Sequence, residues 1–162
     1  MKLSPTIITK RKVPGLSERV LTEFVAKASV AAGLQGAVTV LLTDSREMRN
    51  LNERFRGKDY STDVLSFPPP NFVEGFAGDI AISLDVAGKN ARTLCHSVAD
   101  EVRILVLHGV LHLAGYDHEG DGGEMAEKEM RLRRRLGLPS ALIERAAVRS
   151  RPASPRPSRI RT

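Results

Sequence analysis

The chain has 162 residues, 41% of them apolar, and a formal net charge of +6, enough to bury the core of one ordinary domain without disulfide staples. Its single cysteine excludes an intrachain disulfide and its first residues lack the apolar stretch of a secretory signal, so a reducing, cytoplasmic setting is expected. No run approaches the ~18 apolar residues of a membrane span, and the longest candidate, residues 104–113, carries His108 and His112.

Residues 6–13 read as a first strand, and Ser17 opens a helix whose Val20, Leu21, Phe24, Val25 and Ala28 recur at helical spacing until Gly33. The β-branched run at 37–43 predicts a buried strand, and Asp44 with Glu47 marks the start of a second helix whose Met48, Leu51 and Phe55 are expected to face inward. Gly57 ends that helix, residues 64–67 form a short strand stopped by three prolines, and a loop runs to Gly78. A strand at 78–83 and a short helix at 84–92 follow. Ser97 then caps a helix that is apolar almost all round, hence buried on most sides, and that ends near Gly115. Asp121 and Glu124 begin a last helix, running to Gly137 with Met125, Leu132 and Leu136 on its inner face. Four strands and about five helices, the C-terminal half being helical, predict an α+β fold with a small four-stranded sheet and a buried central helix.

The excess charge is confined to the end of the chain. Arg145, Arg149, Arg151, Arg156, Arg159 and Arg161 supply all six excess positives, leaving residues 1–144 with 19 basic and 19 acidic side chains. Residues 1–144 therefore read as one domain and 145–162, rich in Pro, Ser and Arg, as a basic disordered tail. Within the domain, basic residues cluster at Arg46, Arg49, Arg54, Arg56 and Lys58, and again at Arg131, Arg133, Arg134 and Arg135. Clusters of this kind are either solvated helix faces or contacts for an anionic partner.

Three of the four histidines fall within HGVLHLAGYDH, residues 108–118. On a helix, His108 and His112 lie one turn apart on one face, which suits two imidazoles reaching one ion. Gly115 can take the left-handed conformation that reverses the chain, bringing His118 back toward them. Three nitrogen ligands leave a fourth position open for water or substrate, the mark of a catalytic zinc. The bland alternative makes the first two histidines hydrogen-bonded core residues and the third a loop residue. Burying two imidazoles one turn apart is costly without a shared partner, which favours one zinc ion at the C-terminal end of the central helix. The spacing is also that of the metzincin proteases, so a zinc hydrolase of peptides or small substrates is a competing reading. Those proteases need a glutamate directly after the first histidine, and Gly109 stands there.

HGVLHLAGYDH resembles the signature of the YbeY family of bacterial single-strand-specific endoribonucleases. NERFRGKDYSTDVLSFP, residues 52–68, is similar to the family's second signature, and Gly78-Asp79-Ile80 and His96-Ser97 also match. The resemblance spans about residues 1–140. It implies a metal-dependent endoribonuclease of single-stranded RNA that acts in ribosomal RNA maturation, at the small-subunit rRNA 3′ end, and in ribosome quality control. Ribosomal RNA and the ribosome or its associated proteins are then the partners, with no membrane. By similarity His108, His112 and His118 are the zinc ligands, His108 belongs to the catalytic centre, and Arg56 binds the scissile phosphate. A ribosome-associated protein with a structural zinc is a further alternative. Which group moves the proton, and whether water or the ribose 2′-hydroxyl attacks, is left open.

Asp117 either orients a ligating imidazole or caps the turn at Gly115. Asp63 and Asp79 read as turn or strand-end residues, His96 as a helix-entry residue, and Cys95 as a small buried hydrophobe. Ser61 stands where the family often has proline, and the arginine-rich tail lies outside the resemblance.

Overall fold

A computed structural model of the chain describes residues 4–71, 73–117 and 122–139. The elements run β1 (Thr6–Thr9), α1 (Glu18–Ala32), β2 (Ala37–Thr43), α2 (Ser45–Arg56), β3 (Val64–Phe67), β4 (Phe76–Ser83), α3 (Leu84–Leu94), α4 (Val98–Leu113) and α5 (Glu124–Arg135). The four strands form one sheet in the order β1-β2-β4-β3, with β1, β2 and β4 parallel and β3 antiparallel on an edge. The α+β expectation, four strands and five helices among the described residues, holds.

Strand alternation divides the apolar residues between two faces of the sheet. Val38, Val40 and Leu42 of β2 with Ile80 and Ile82 of β4 meet α1, α4 and α5 in the main core. The other face carries Leu65 and Ala81, covered by Met48 of α2 with Leu51 packed alongside. Helix α4 is the central element: ten of its sixteen residues are buried, and it packs on β3, β4, α1, α3 and α5. Gly109 makes its close approach to the sheet possible, since a Cβ there would lie 2.9 Å from Ile80 Cδ1.

The helix starts follow from local chemistry. Ser17, Asp44, Ser83 and Ser97 each accept a hydrogen bond from the backbone N–H three residues on, which satisfies an orphan donor of the first turn. Asp85 of α3 fastens α2 and the segment after β1, accepting from the Ser45 N–H at 2.8 Å and from Arg11 at 2.9 Å. The Ser45 amide, then the Arg11 guanidinium, hold its carboxyl below the usual carboxylate range.

Several expectations change, and Phe55, expected to face inward, is exposed at the sheet edge. The first strand stops at Thr9 instead of residue 13, because the chain turns through Pro14 and Gly15 and closes a lone bridge between Val13 and Leu16. The fourth strand begins earlier than expected, at Phe76, whose partner is Ala37. Cys95 is exposed, not buried: it terminates α3 in the left-handed conformation, with φ 57°, and the turn directs its side chain outward while His96 turns in. The last helix starts at Glu124 behind Gly123, with no side-chain cap. Asp121, expected to begin it, lies outside the described residues, as do residues 145–162 of the expected tail.

Candidate active site

One cleft of about 570 Å³ opens where the end of α4 meets the edge strand β3. Its walls include Arg56, Asp63, Ser66, His108, His112 and Asp117. Residues expected from two distant stretches of sequence therefore meet in one place. His118, expected as the third ligand, lies outside the described residues.

His108 and His112 sit one turn apart on α4 with their Nε2 atoms 3.1 Å from each other. The other ring nitrogen of each is committed. His112 Nδ1 lies 3.1 Å from the Tyr116 carbonyl, which can only accept, so Nδ1 carries the hydrogen. The turn that delivers this carbonyl is closed by the Tyr116 N–H to Leu111 O at 3.1 Å and by Gly115 at φ 102°, a conformation suited to glycine. His108 Nδ1 lies 2.7 Å from the Glu129 carboxylate of α5.

Glu129 is buried and comes with its own counter-charge. Arg133, 1% exposed, places Nη1 3.8 Å from the second Glu129 oxygen and donates through Nε and Nη2 to the Pro139 carbonyl at 3.0 and 2.7 Å. A buried ion pair with these additional bonds is held in one geometry. Arg133 thus leaves the basic cluster on which a nucleic-acid contact was considered. With both Nδ1 atoms donating, each imidazole turns its Nε2 lone pair toward the other, an arrangement in which both can bind one cation.

That donor set fits a metal ion. Two nitrogens bound at about 2.0–2.1 Å to one tetrahedral ion stand about 3.3 Å apart, close to the 3.1 Å observed. Among the described residues no group of three or more His, Cys, Asp or Glu side chains is placed to hold a metal. The orienting role considered for Asp117 is filled, for His108 and His112, by Glu129 and the Tyr116 carbonyl.

Arg56 ends α2 and reaches across the edge of the sheet, where its Nη2 donates to the Ser66 carbonyl at 2.9 Å. One bond of a five-donor fork fixes the guanidinium and leaves the rest of its donors for a ligand in the cleft. The Ser66 hydroxyl in turn donates to the Gly109 carbonyl at 3.2 Å, tying β3 to the helix that carries both histidines. Position 109 itself faces Ile80. A glutamate there would point into the sheet, so the metzincin arrangement of a base beside the first histidine has no counterpart.

Asp63 lines the cleft, held by Asn90 Nδ2 at 3.3 Å. The same amide donates to Glu101 Oε2 at 3.1 Å, and Glu101, fully buried, takes His96 Nε2 at 2.8 Å on its other oxygen. His96 therefore belongs to a buried polar network at the entry of α4 and is not drawn to the histidine pair.

Sequence reasoning missed Glu129 and Arg133. The signal lay in the last helix: Met125, Leu132 and Leu136 define its inner stripe, and position 129 falls on that stripe, so a charged residue there required a buried partner.

Comparisons with known proteins bear on the chain as a whole. The family model described as Endoribonuclease YbeY matches residues 3–137. A protein named Endoribonuclease YbeY from Koribacter versatilis is 55% identical over 153 residues, covering 94% of this chain and 99% of that protein. The protein of that name from Solibacter usitatus is 48% identical over 139 residues, 85% of this chain and 92% of its own length. A solution structure of a Thermotoga maritima protein aligns with a TM-score of 0.56 at 31% identity, covering 96% of this chain and 99% of that one. With the family model spanning nearly all of the described fold and relatives aligned over almost their whole length, the chain belongs to the YbeY endoribonuclease family.

Proposed function

We propose that this chain is a zinc-dependent endoribonuclease cutting single-stranded RNA between Arg56 and the His108–His112 pair, with His118 as third ligand. Its proposed substrate is ribosomal RNA, at the 3′ end of the small-subunit molecule. Through that cut it serves ribosome maturation and quality control in contact with the ribosome or its associated proteins. One observation carries the reading: two oriented imidazole lone pairs and an anchored guanidinium line one cleft.

Held by the histidines, a zinc ion supplies Lewis acidity toward a phosphoryl oxygen or a water. Arg56 places its remaining donors on the scissile phosphate, where charge grows as the phosphorus becomes five-coordinate. Its bond to Ser66 fixes the guanidinium before the reaction, so little reorganisation is needed. Glu129 holds His108 in the tautomer that turns Nε2 inward, and the Tyr116 carbonyl does the same for His112. Asp63 and Asp117 bring carboxylates to the cleft wall, either of which can take the proton of an attacking hydroxyl.

Replacing Glu129 with leucine is expected to weaken zinc binding about 10- to 100-fold, with Glu129→Gln less affected because its amide oxygen still accepts from Nδ1. Competition against a chelating dye measures this, and equal affinity in wild type and Glu129→Leu would contradict the role.

The test of the overall reading is cleavage of one labelled RNA, alone and annealed to its complement, by the full chain. Cleavage of the single strand and protection of the duplex are expected. Equal cleavage of both removes the single-strand specificity, and hydrolysis of a peptide substrate without cleavage of either RNA favours the competing hydrolase reading.

A further inference from the structure

Phe55 does not face inward. Met48 and Leu51 of α2 pack on the sheet as their spacing requires, but the next position of the stripe lies at the sheet edge, where β3 is only four residues long. Phe55 is left 58% exposed, and Tyr60, just after the helix, is 55% exposed. In a chain with five phenylalanines, two tyrosines and no tryptophan, two exposed aromatic side chains are a large share of what the core could have used.

A single exposed apolar residue needs no explanation. This one differs in its setting. Its ring meets Phe67 edge-on, with centroids 5.4 Å apart and planes at 64°, so it has a fixed backing. The Arg54 guanidinium lies 5.9 Å from the ring centroid, and Arg56 and Lys58 follow in sequence, so the surroundings are basic. The loop beyond α2 is tied back to the helix by the Lys58 N–H to Asn52 O at 3.2 Å, by Asn52 Nδ2 to Tyr60 O at 2.8 Å and by Arg49 to Asp59 at 2.6 and 3.0 Å. The patch is continuous with the cleft: Phe55 adjoins Arg56, and Phe67 stands between Ser66 and Pro68, all three neighbours being cleft residues.

We infer that Phe55, backed by Phe67 and flanked by Arg54, is a stacking subsite for one unpaired nucleobase of the RNA, next to the phosphate held by Arg56. The inference rests on the reading of the cleft as the site of RNA cleavage. A strand crossing the edge at β3 sets its phosphate on the α4 side, at Arg56 and the histidines, and the neighbouring base on the α2 side, against the Phe55 ring. Stacking on an aromatic side chain with a cation beside it tolerates every base and gives little sequence preference. It also requires a base with a free face, which a duplex does not offer. The subsite is thus a physical source of single-strand preference, separate from the chemistry of the metal.

The experiment uses the full chain and a short single-stranded RNA carrying an abasic nucleotide at each position around the cleavage site in turn. Wild type, Phe55→Ala, Phe55→Leu and Phe55→Trp are compared in both cleavage and equilibrium binding. Phe55→Ala is expected to raise KM about tenfold, with the loss falling on KM and not on kcat, and Phe55→Trp to restore it. Phe55→Leu keeps an apolar contact with Phe67 and guards against a folding defect in the alanine variant; it is expected to lose binding as alanine does. At one abasic position wild type loses the same factor while Phe55→Ala loses nothing more. Losses that multiply at every position, or wild-type KM in Phe55→Ala, would overturn the subsite. If wild type cleaves none of the RNAs, the catalytic reading fails, and the same non-additivity in equilibrium binding still decides for or against the subsite.

Discussion

Replacing Arg56 with alanine is expected to lower kcat on single-stranded RNA about 10²- to 10³-fold, as when an enzyme loses one preorganised group that stabilises developing charge. The side chain is exposed and belongs to neither apolar cluster, so the melting temperature should stay within about a degree or two. Among the described residues the hydrogen bond given up is the one to the Ser66 carbonyl, and that edge-strand oxygen can turn to water. Arg56→Lys is expected to recover part of the binding and little of kcat. An ammonium keeps the charge but cannot bond Ser66 and a phosphate in one fixed plane. Kinetics of the three proteins on one RNA, with thermal melts in parallel, check this. Full activity in Arg56→Ala would remove the guanidinium from the chemistry.

His112→Ala is expected to abolish stoichiometric zinc binding and to reduce cleavage at least about 10³-fold, since several kcal/mol of charge stabilisation leave with the ion and each 1.36 kcal/mol is tenfold in rate. The fold should survive. His112 is only partly buried, and the end of α4 is also held by the backbone bonds of Tyr116 N–H to Leu111 O and Ala114 N–H to Val110 O. Metal content by elemental analysis, circular dichroism and RNA cleavage on one preparation separate the consequences. Stoichiometric zinc in the variant would assign the ion elsewhere.

The helices were legible wherever local chemistry decides them. The start at Ser17, the Asp44 cap and the Ser97 cap stand where their side chains were expected to satisfy first-turn amides. The strand at 64–67 falls between its turn residues as read. The pairing of His108 with His112 was legible because helical spacing alone puts them together, and the resemblance of two separated blocks brought Arg56 to the same cleft.

What escaped depends on contacts distant in sequence. The Phe55 spacing is that of an inner face, but which strand lies beneath the last turn of a helix is a property of the sheet order, with β3 on its edge. Glu129 meets His108 only after α5 docks on α4, Arg133 takes its charge partner from that same buried carboxylate, and charge runs alone look like solvent-facing helix. Cys95 appears apolar in composition, whereas the turn between α3 and α4 exposes it.

The central claim is that the metal is catalytic, and it is tested most directly by stripping the full chain with a chelator and adding zinc back while single-stranded RNA cleavage and circular dichroism are followed together. The main core is assembled from apolar side chains of four helices, α1, α3, α4 and α5, and the sheet, so the stripped protein should keep its helical signal, lose cleavage, and regain it at about one equivalent of zinc. Unfolding on chelation, or cleavage that persists in the metal-free chain, would contradict it.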